Sequence, residues 1–166
     1  DAVDIPQILY NVPSRTGCDL SDETIIKLSG LKNIVGVKDA TGDLNRIEAI
    51  KNRVNKEFAL ISGDDLSFLD YLKKGGNAVI SVTANLVPNE MHLICEGIQK
   101  NNHSEAEALN QKLQALHEMM FIEPNPIPVK WALSYLGMIN GKLRLPMVEL
   151  DKIYQASLTK LLNTIK

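Results

Sequence analysis

Four short apolar runs rich in β-branched residues, Ile5 to Leu9, Ile34 to Val37, Phe58 to Ile61 and Ala78 to Val82, alternate with stretches whose apolar residues recur at three- and four-residue steps. The runs have the length of buried strands and the intervening pattern is helical. Strands that alternate with helices argue for a parallel sheet joined by right-handed crossovers, an α/β fold. Ser21-Asp22-Glu23 opens a helix through Leu28, with Ser21 or Asp22 as cap and the acidic pair suited to the amino-terminal dipole. Leu44, Ile47, Ile50 and Val54 mark one face of the next helix, and Leu66, Leu69 and Leu72 mark a third that Gly75-Gly76 stops.

After Asn85 the pattern is helical only. Pro88 to Lys100 and Ser104 to Phe121 read as two helices. The connector Glu123-Pro124-Asn125-Pro126-Ile127-Pro128 is rigid, and its last proline fits the first turn of a helix through Leu136. Leu150 to Ile165 reads as a final amphipathic helix. These boundaries predict four βα units over residues 1–102 and a helical extension over 103–166.

The chemistry gathers where the strands end. Lys38 stands at the tip of Ile34-Val35-Gly36-Val37 and is followed at once by the turn-forming Asp39-Ala40-Thr41-Gly42. Tyr10 ends the first run and leads into Asn11-Val12-Pro13-Ser14-Arg15-Thr16-Gly17. A strand that buries its length and delivers an amine at its tip is how a barrel presents a nucleophile. Such a lysine must have its charged form disfavoured, by apolar burial or nearby positive charge, before it can attack a carbonyl. Val35 and Val37, or their neighbours on adjacent strands, are the expected source of that desolvation. Taken singly, each residue has a plainer role: Lys38 a solvated strand-end charge, Tyr10 a half-buried plug, Arg15 a loop charge.

Taken together, Tyr10 to Gly17, Gly36-Val37-Lys38-Asp39-Ala40-Thr41-Gly42, Ser62-Gly63-Asp64-Asp65 and Val79-Ile80-Ser81-Val82-Thr83-Ala84-Asn85 closely resemble the dihydrodipicolinate synthase family, in order and spacing and over essentially the whole chain. The resemblance implies a (β/α)8 TIM barrel with a helical carboxy-terminal extension, and a class I aldolase-type lyase of lysine and diaminopimelate biosynthesis. By resemblance, Lys38 forms an imine with pyruvate and Tyr10 moves protons in that step and in the later carbon–carbon bond formation. Arg15 binds the carboxylate of the second substrate, aspartate semialdehyde. The backbone of Ile80 lies beside the lysine, and Gly63 shapes the pocket. The resemblance implies no metal and no organic cofactor.

Relatives such as N-acetylneuraminate lyase and ketodeoxygluconate aldolase share the lysine and tyrosine, so a related pyruvate-dependent aldolase is the alternative; Ser14-Arg15-Thr16-Gly17 looks like the synthase pattern. A non-catalytic interaction fragment is the remaining alternative. The resemblance places the first strand of this chain fifth of eight, and the chain opens at Asp1 without a methionine. A fragment, the carboxy-terminal half of a barrel, is therefore expected. In the family the other half supplies two adjacent threonines that bind the pyruvate carboxylate, and a second tyrosine from a neighbouring subunit. Such a fragment should be inactive or very weak alone. Its two edge strands expose backbone donors and acceptors, so a homo-oligomer, or pairing with the absent half, is expected.

Composition narrows the alternatives. With 18 Lys and Arg against 20 Asp and Glu, and basic residues scattered, a nucleic-acid surface is not expected. No segment approaches a membrane span, and the first residues do not resemble a signal peptide. Cys18 and Cys95, far apart in sequence, fit a reducing cytoplasm. His92, His103 and His117 lack metal-ligand spacing, Asp64-Asp65 reads as a cap and first-turn charge, and the glycines form no phosphate-binding fingerprint.

Overall fold

Each apolar run supplies a strand in the computed structural model, which describes residues 3–164. β1 (Gln7–Asn11), β2 (Ile34–Asp39), β3 (Ala59–Ser62) and β4 (Ala78–Val79) form one parallel sheet in the order β1-β2-β3-β4. The first three strands run past their apolar residues into polar ones, because the ladder continues through Asn11↔Asp39 and Asp39↔Ser62. β4 is shorter than the run that encodes it. The Ile80 amide still donates to the Ser62 carbonyl, but Val82 is already helical and leads into a 3-10 turn over Thr83–Asn85.

The connecting helices are set by their ends. α1 (Pro13–Thr16) is a single turn closed by Gly17 in the left-handed region. α2 (Asp22–Ser29) takes Ser21 as its cap, the hydroxyl accepting from the Thr24 amide at 3.3 Å, which decides between Ser21 and Asp22. α3 (Leu44–Lys51) is capped by Asp43, which accepts from the Asn45 amide. α4 (Phe68–Lys73) starts later than the leucine spacing predicts. Asp64 accepts from both the amide and the hydroxyl of Ser67, so it holds a separate turn ahead of the helix and leaves Leu66 half exposed. The stop at Gly75-Gly76 is as predicted: Gly75, at φ +104°, donates to Leu72, and Gly76 donates to Tyr71. That pair of bonds satisfies carbonyls the helix end would orphan.

Alternation along the strands sorts side chains between two faces. Val37 and Leu60 pack with Ile25 of α2, Ile47 and Ile50 of α3, Tyr71 of α4 and Phe58, which precedes β3, into one buried cluster, with Leu9 at its margin. Each such side chain contributes roughly 1.5–3 kcal/mol by leaving water. The residues between them face the other way, and Ile8, Tyr10 and Ile80 remain about half exposed. The sheet thus has a helix-backed face and an open one.

The chain divides into two compact units, the first ending at Ser81 and the second beginning at Val82. The second contains the 3-10 turn, α5 (Pro88–Gln99), α6 (His103–Met119), α7 (Ile127–Tyr135) and α8 (Lys152–Thr164). Met91, Ile94, Ala106, Leu113, Leu116, Ala132, Leu158 and Leu162 are buried in it. α8 begins two residues after Leu150 because Asp151 accepts from the Ile153 amide and caps it; the expected end at Ile165 lies outside the described residues. No helix among the described residues is long and apolar enough to cross a membrane.

Candidate functional site at the carboxyl ends of the strands

The open face of the sheet brings two of the sequence-predicted residues into contact. Tyr10 and Lys38 are register partners on β1 and β2, so their side chains leave the same face side by side. The Lys38 Nζ lies 4.1 Å from the centroid of the Tyr10 ring, over its face. This distance lies within the range of cation–π contacts, in which the face of an aromatic ring attracts a cation. Lys38 is half-buried and Tyr10 is half-exposed.

Gly63 follows β3 and lies against the stem of Lys38. A Cβ at this position would stand 2.8 Å from Lys38 Cε, 3.2 Å from its Cγ and 3.0 Å from Ala40 Cβ. Only a residue without a side chain leaves Lys38 this path. Ile80 sits two strands along from Lys38 and two residues beyond Ala78, the position level with the lysine through the pairs Lys38↔Ile61 and Ile61↔Ala78. Its side chain is half-exposed, and its amide is bonded to Ser62. Arg15 stands on α1, directly after β1, with an exposed side chain.

The expected desolvation of Lys38 by Val37 is corrected by the geometry. Val37 is fully buried, but in the helix-backed cluster on the opposite face. Val35 is more than a third exposed and gives no shelter either. Consecutive strand residues cannot share a face, so the apolar run before a strand-end lysine does not line its pocket. The neighbours that flank Lys38 come from adjacent strands: Tyr10 on β1 and the buried Ile61 on β3.

Behind this pair lies a polar network that the sequence reading did not single out. Asn11 and Asp39, each one residue after a site side chain, are buried on the helix-backed face. The Asn11 Nδ2 donates to Asp39 Oδ1 and to Asp19 Oδ1, both at 2.8 Å, and its Oδ1 accepts from the Leu20 amide at 3.0 Å. Asp39 Oδ2 accepts from the Thr41 hydroxyl at 2.6 Å. Arg46, from α3, forms ion pairs with Asp19 at 3.0 Å, Asp22 at 3.1 Å and Asp39 at 3.7 Å, and donates to the Leu20 carbonyl. The Asn11 amide, followed by Arg46, holds the Asp19 carboxyl below the usual aspartate range. The signal in the sequence was position alone: two polar residues terminating apolar runs that end in Tyr10 and Lys38.

Other weighed groups stand apart. Cys18 is exposed beyond α1, while Cys95 on α5 is half-buried and its thiol is pushed up by that burial. His117 is fully buried, pairing through Nδ1 with the Thr83 hydroxyl at 2.9 Å and through Nε2 with Asn110 Oδ1 at 3.3 Å. Among the described residues, no group of three His, Cys, Asp or Glu side chains is placed to hold a metal ion.

Parallel strands, each followed by a helix, with a lysine and a tyrosine meeting at their carboxyl ends, define a piece of a (β/α)8 barrel with its site at the usual face. The chain belongs to the Dihydrodipicolinate synthetase family, whose pattern matches residues 1–165. It is 50% identical over 167 aligned positions to the 4-hydroxy-tetrahydrodipicolinate synthase of Buchnera aphidicola subsp. Cinara cedri, covering 100% of this chain and 56% of that protein. To the synthase of Buchnera aphidicola subsp. Baizongia pistaciae it is 54% identical, covering 95% and 54%. Among solved structures, the chloride-inhibited dihydrodipicolinate synthase of Acinetobacter baumannii complexed with pyruvate superposes with a TM-score of 0.94 at 44% identity, over 98% of this chain and 56% of that one. The Aquifex aeolicus enzyme superposes with a TM-score of 0.95 at 37% identity, over 98% and 56%. The chain spans about half the length of these relatives and corresponds to the carboxy-terminal part of their TIM barrel.

Proposed function

We propose that these residues form the lysine-bearing part of a 4-hydroxy-tetrahydrodipicolinate synthase, a lyase that condenses pyruvate with L-aspartate 4-semialdehyde. The observation that carries this reading is the contact of Lys38 with Tyr10 at the carboxyl ends of neighbouring strands, in a chain of this family. The pyruvate complex of the Acinetobacter baumannii relative supports pyruvate as the first substrate.

The chemistry follows from the residue types. The neutral Lys38 amine adds to the keto carbon of pyruvate, and loss of water leaves an imine. The imine withdraws electrons, so a methyl proton becomes removable and the resulting enamine carbon attacks the aldehyde of the second substrate. The Tyr10 phenol, beside the lysine, carries protons in these steps. The amine of the semialdehyde then displaces Lys38 by transimination, closing the ring and freeing the lysine. The imine is itself the electron sink, so the sequence of steps calls for no metal or organic cofactor. Arg15 is assigned to the carboxylate of the semialdehyde, because a planar guanidinium matches two carboxylate oxygens. Ile80 contributes its backbone beside the lysine, and Gly63 the space for its stem.

On this reading residues 1–102 are half of the barrel and 103–166 its helical extension, working in the cytoplasm. β1 and β4 are the outer strands of the four, and they pair with further βα units or with a second copy. The test is mass spectrometry after pyruvate and borohydride, on this chain joined to the amino-terminal half of a family barrel. A reduced pyruvate adduct on Lys38, absent from Lys38→Ala, is the expected result; a joined barrel that folds and takes no adduct overturns the assignment.

A further inference from the structure

Two consecutive rungs of the ladder between β1 and β2 do different things. The rung Tyr10↔Lys38 points to the open face and carries the reactive pair. The next rung, Asn11↔Asp39, points to the helix-backed face and is joined by a side-chain hydrogen bond of 2.8 Å between residues that are 2% and 6% exposed. We propose that Asn11 and Asp39 act as positioning residues: their buried amide–carboxylate bond fixes the separation of the two strand ends, and with it the placement of Lys38 over the Tyr10 ring. This rests on the proposed function for its chemical consequence, though not for its geometric one.

The argument is one of where the restraints end. Past this rung β1 and β2 diverge, β1 into α1 and β2 into the Asp39-to-Gly42 turn, with the bond from the Ala40 amide to the Asn11 carbonyl at 2.9 Å as their last backbone link. A strand end without further rungs can splay, and a side chain at its tip moves with it. The Asn11–Asp39 bond closes that freedom from behind. Both ends of it are themselves fixed: Asn11 by Asp19 and the Leu20 amide, Asp39 by Thr41 and Arg46. The Asp39 carbonyl also accepts from the Gly63 amide at 2.7 Å, which ties in the residue lying against the Lys38 stem. Asn suits this place because one amide group donates to two carboxylates while its oxygen accepts a backbone N–H. An aspartate would set a third carboxylate among them.

The test reads the placement of Lys38 directly. Reductive methylation with 13C-formaldehyde labels the lysines of the chain, and the Lys38 signal, assigned by its loss in Lys38→Arg, is displaced upfield by the Tyr10 ring and returns to the exposed-lysine position in Tyr10→Leu. Asn11→Ala is expected to move the signal most of the way to the Tyr10→Leu position. Leu60→Val, which loosens the same core without touching the bond, leaves it in place; Tm is recorded for both. If Asn11→Ala does not fold, Thr41→Val, which removes only the hydroxyl bonded to Asp39, is expected to move the signal in the same direction. An unchanged signal in Asn11→Ala, or in Thr41→Val where that variant stands in, overturns the proposal, as does an equal displacement in Leu60→Val at matched Tm. Borohydride trapping in the joined barrel separates the two readings. A tenfold or greater drop in trapping rate at saturating pyruvate, with the half-saturating concentration unchanged, is expected for Asn11→Ala. No trapping in the unsubstituted barrel defeats the aldolase assignment and leaves the methyl-signal result to decide the positioning role.

Discussion

A methyl group placed on Gly63 would stand 2.8 Å from the Cε of Lys38, closer than two carbons approach without one of them moving. The side chain missing just after one strand is therefore part of the geometry of its neighbour.

The first prediction follows from that contact. Gly63→Ala must push the Lys38 stem aside, and the added methyl would also stand 3.0 Å from Ala40 Cβ, which crowds it from a second direction. Displacement of a reacting atom by about 1 Å costs on the order of 100-fold in rate. We expect a loss of this size in the pyruvate–borohydride adduct rate of the joined barrel, with Tm changed by only a few degrees. Wild-type trapping by Gly63→Ala would falsify a pocket role for Gly63.

Tyr10 offers two properties that substitution can separate. Tyr10→Phe keeps the ring face under the Lys38 nitrogen and removes the hydroxyl, whereas Tyr10→Leu removes both. If the phenol carries protons, Tyr10→Phe should lower the condensation rate by roughly 100-fold or more while leaving the 13C-methyl signal of Lys38 nearly unmoved. Equal rates for Tyr10→Phe and the unsubstituted protein would assign proton transfer to another group.

The close of α4 depends on a backbone conformation that side chains resist. Gly75 has φ +104° and supplies one of the two bonds that end the helix. Gly75→Ala should cost about 1–3 kcal/mol, read as a lower urea midpoint at unchanged slope. An unaltered midpoint would mean that the turn relaxes to a conformation without strain.

Acid should loosen the network behind the sheet. The Asp19 carboxyl is held below its ordinary value, first by the Asn11 amide and then by Arg46. A depressed folded-state pKa means that the contribution is fully present above the unfolded value, roughly pH 4, and is lost as pH falls through the lower folded value. Urea midpoints measured from pH 7 down to pH 2 should therefore fall more steeply for the unsubstituted chain than for Asp19→Asn. Parallel curves would show that the pairing persists in the unfolded chain.

The two thiols should differ in reactivity. Cys18 is exposed, and Cys95 is half-buried with its pKa raised by desolvation. Since the thiolate is the nucleophile, iodoacetamide at pH 8 should label Cys18 first, as counted by peptide mass spectrometry. Preferential labelling of Cys95 would require α5 to open in solution.

The alternation of apolar runs and helical spacing was enough to read the four strands, their parallel order and the helices between them, because burial imposes those periods on the sequence. Strand ends were less legible: Asn11, Asp39 and Ser62 look like turn residues and are held in the ladder by their partners, which lie 28 or 23 positions away. The brief extent of β4 was hidden for the converse reason, since Ile80 and Val82 are apolar yet lie beyond the last residue of the strand. At the site, the pairing of Tyr10 with Lys38 could be suspected from two strand tips. The face to which Val37 turns, the space that Gly63 leaves and the bond between Asn11 and Asp39 depend on register, which no local pattern states.

The residues proposed for the site come from four successive repeats of the same strand–helix unit: Tyr10 lies on β1 and Arg15 on the turn of helix after it, Lys38 lies on β2, Gly63 follows β3 and Ile80 follows β4. On the proposed function the division of labour is modular along the chain, with the proton carrier and anion clamp in one module, the nucleophile in the next and clearance in a third. If Arg15 and Lys38 have the proposed roles, recombination that exchanged the first module alone would change the aldehyde accepted while leaving the imine-forming lysine in its own. It would succeed only where the incoming module brought its own partner for Asp39, so the concealed rung of the ladder would act as the compatibility filter between modules.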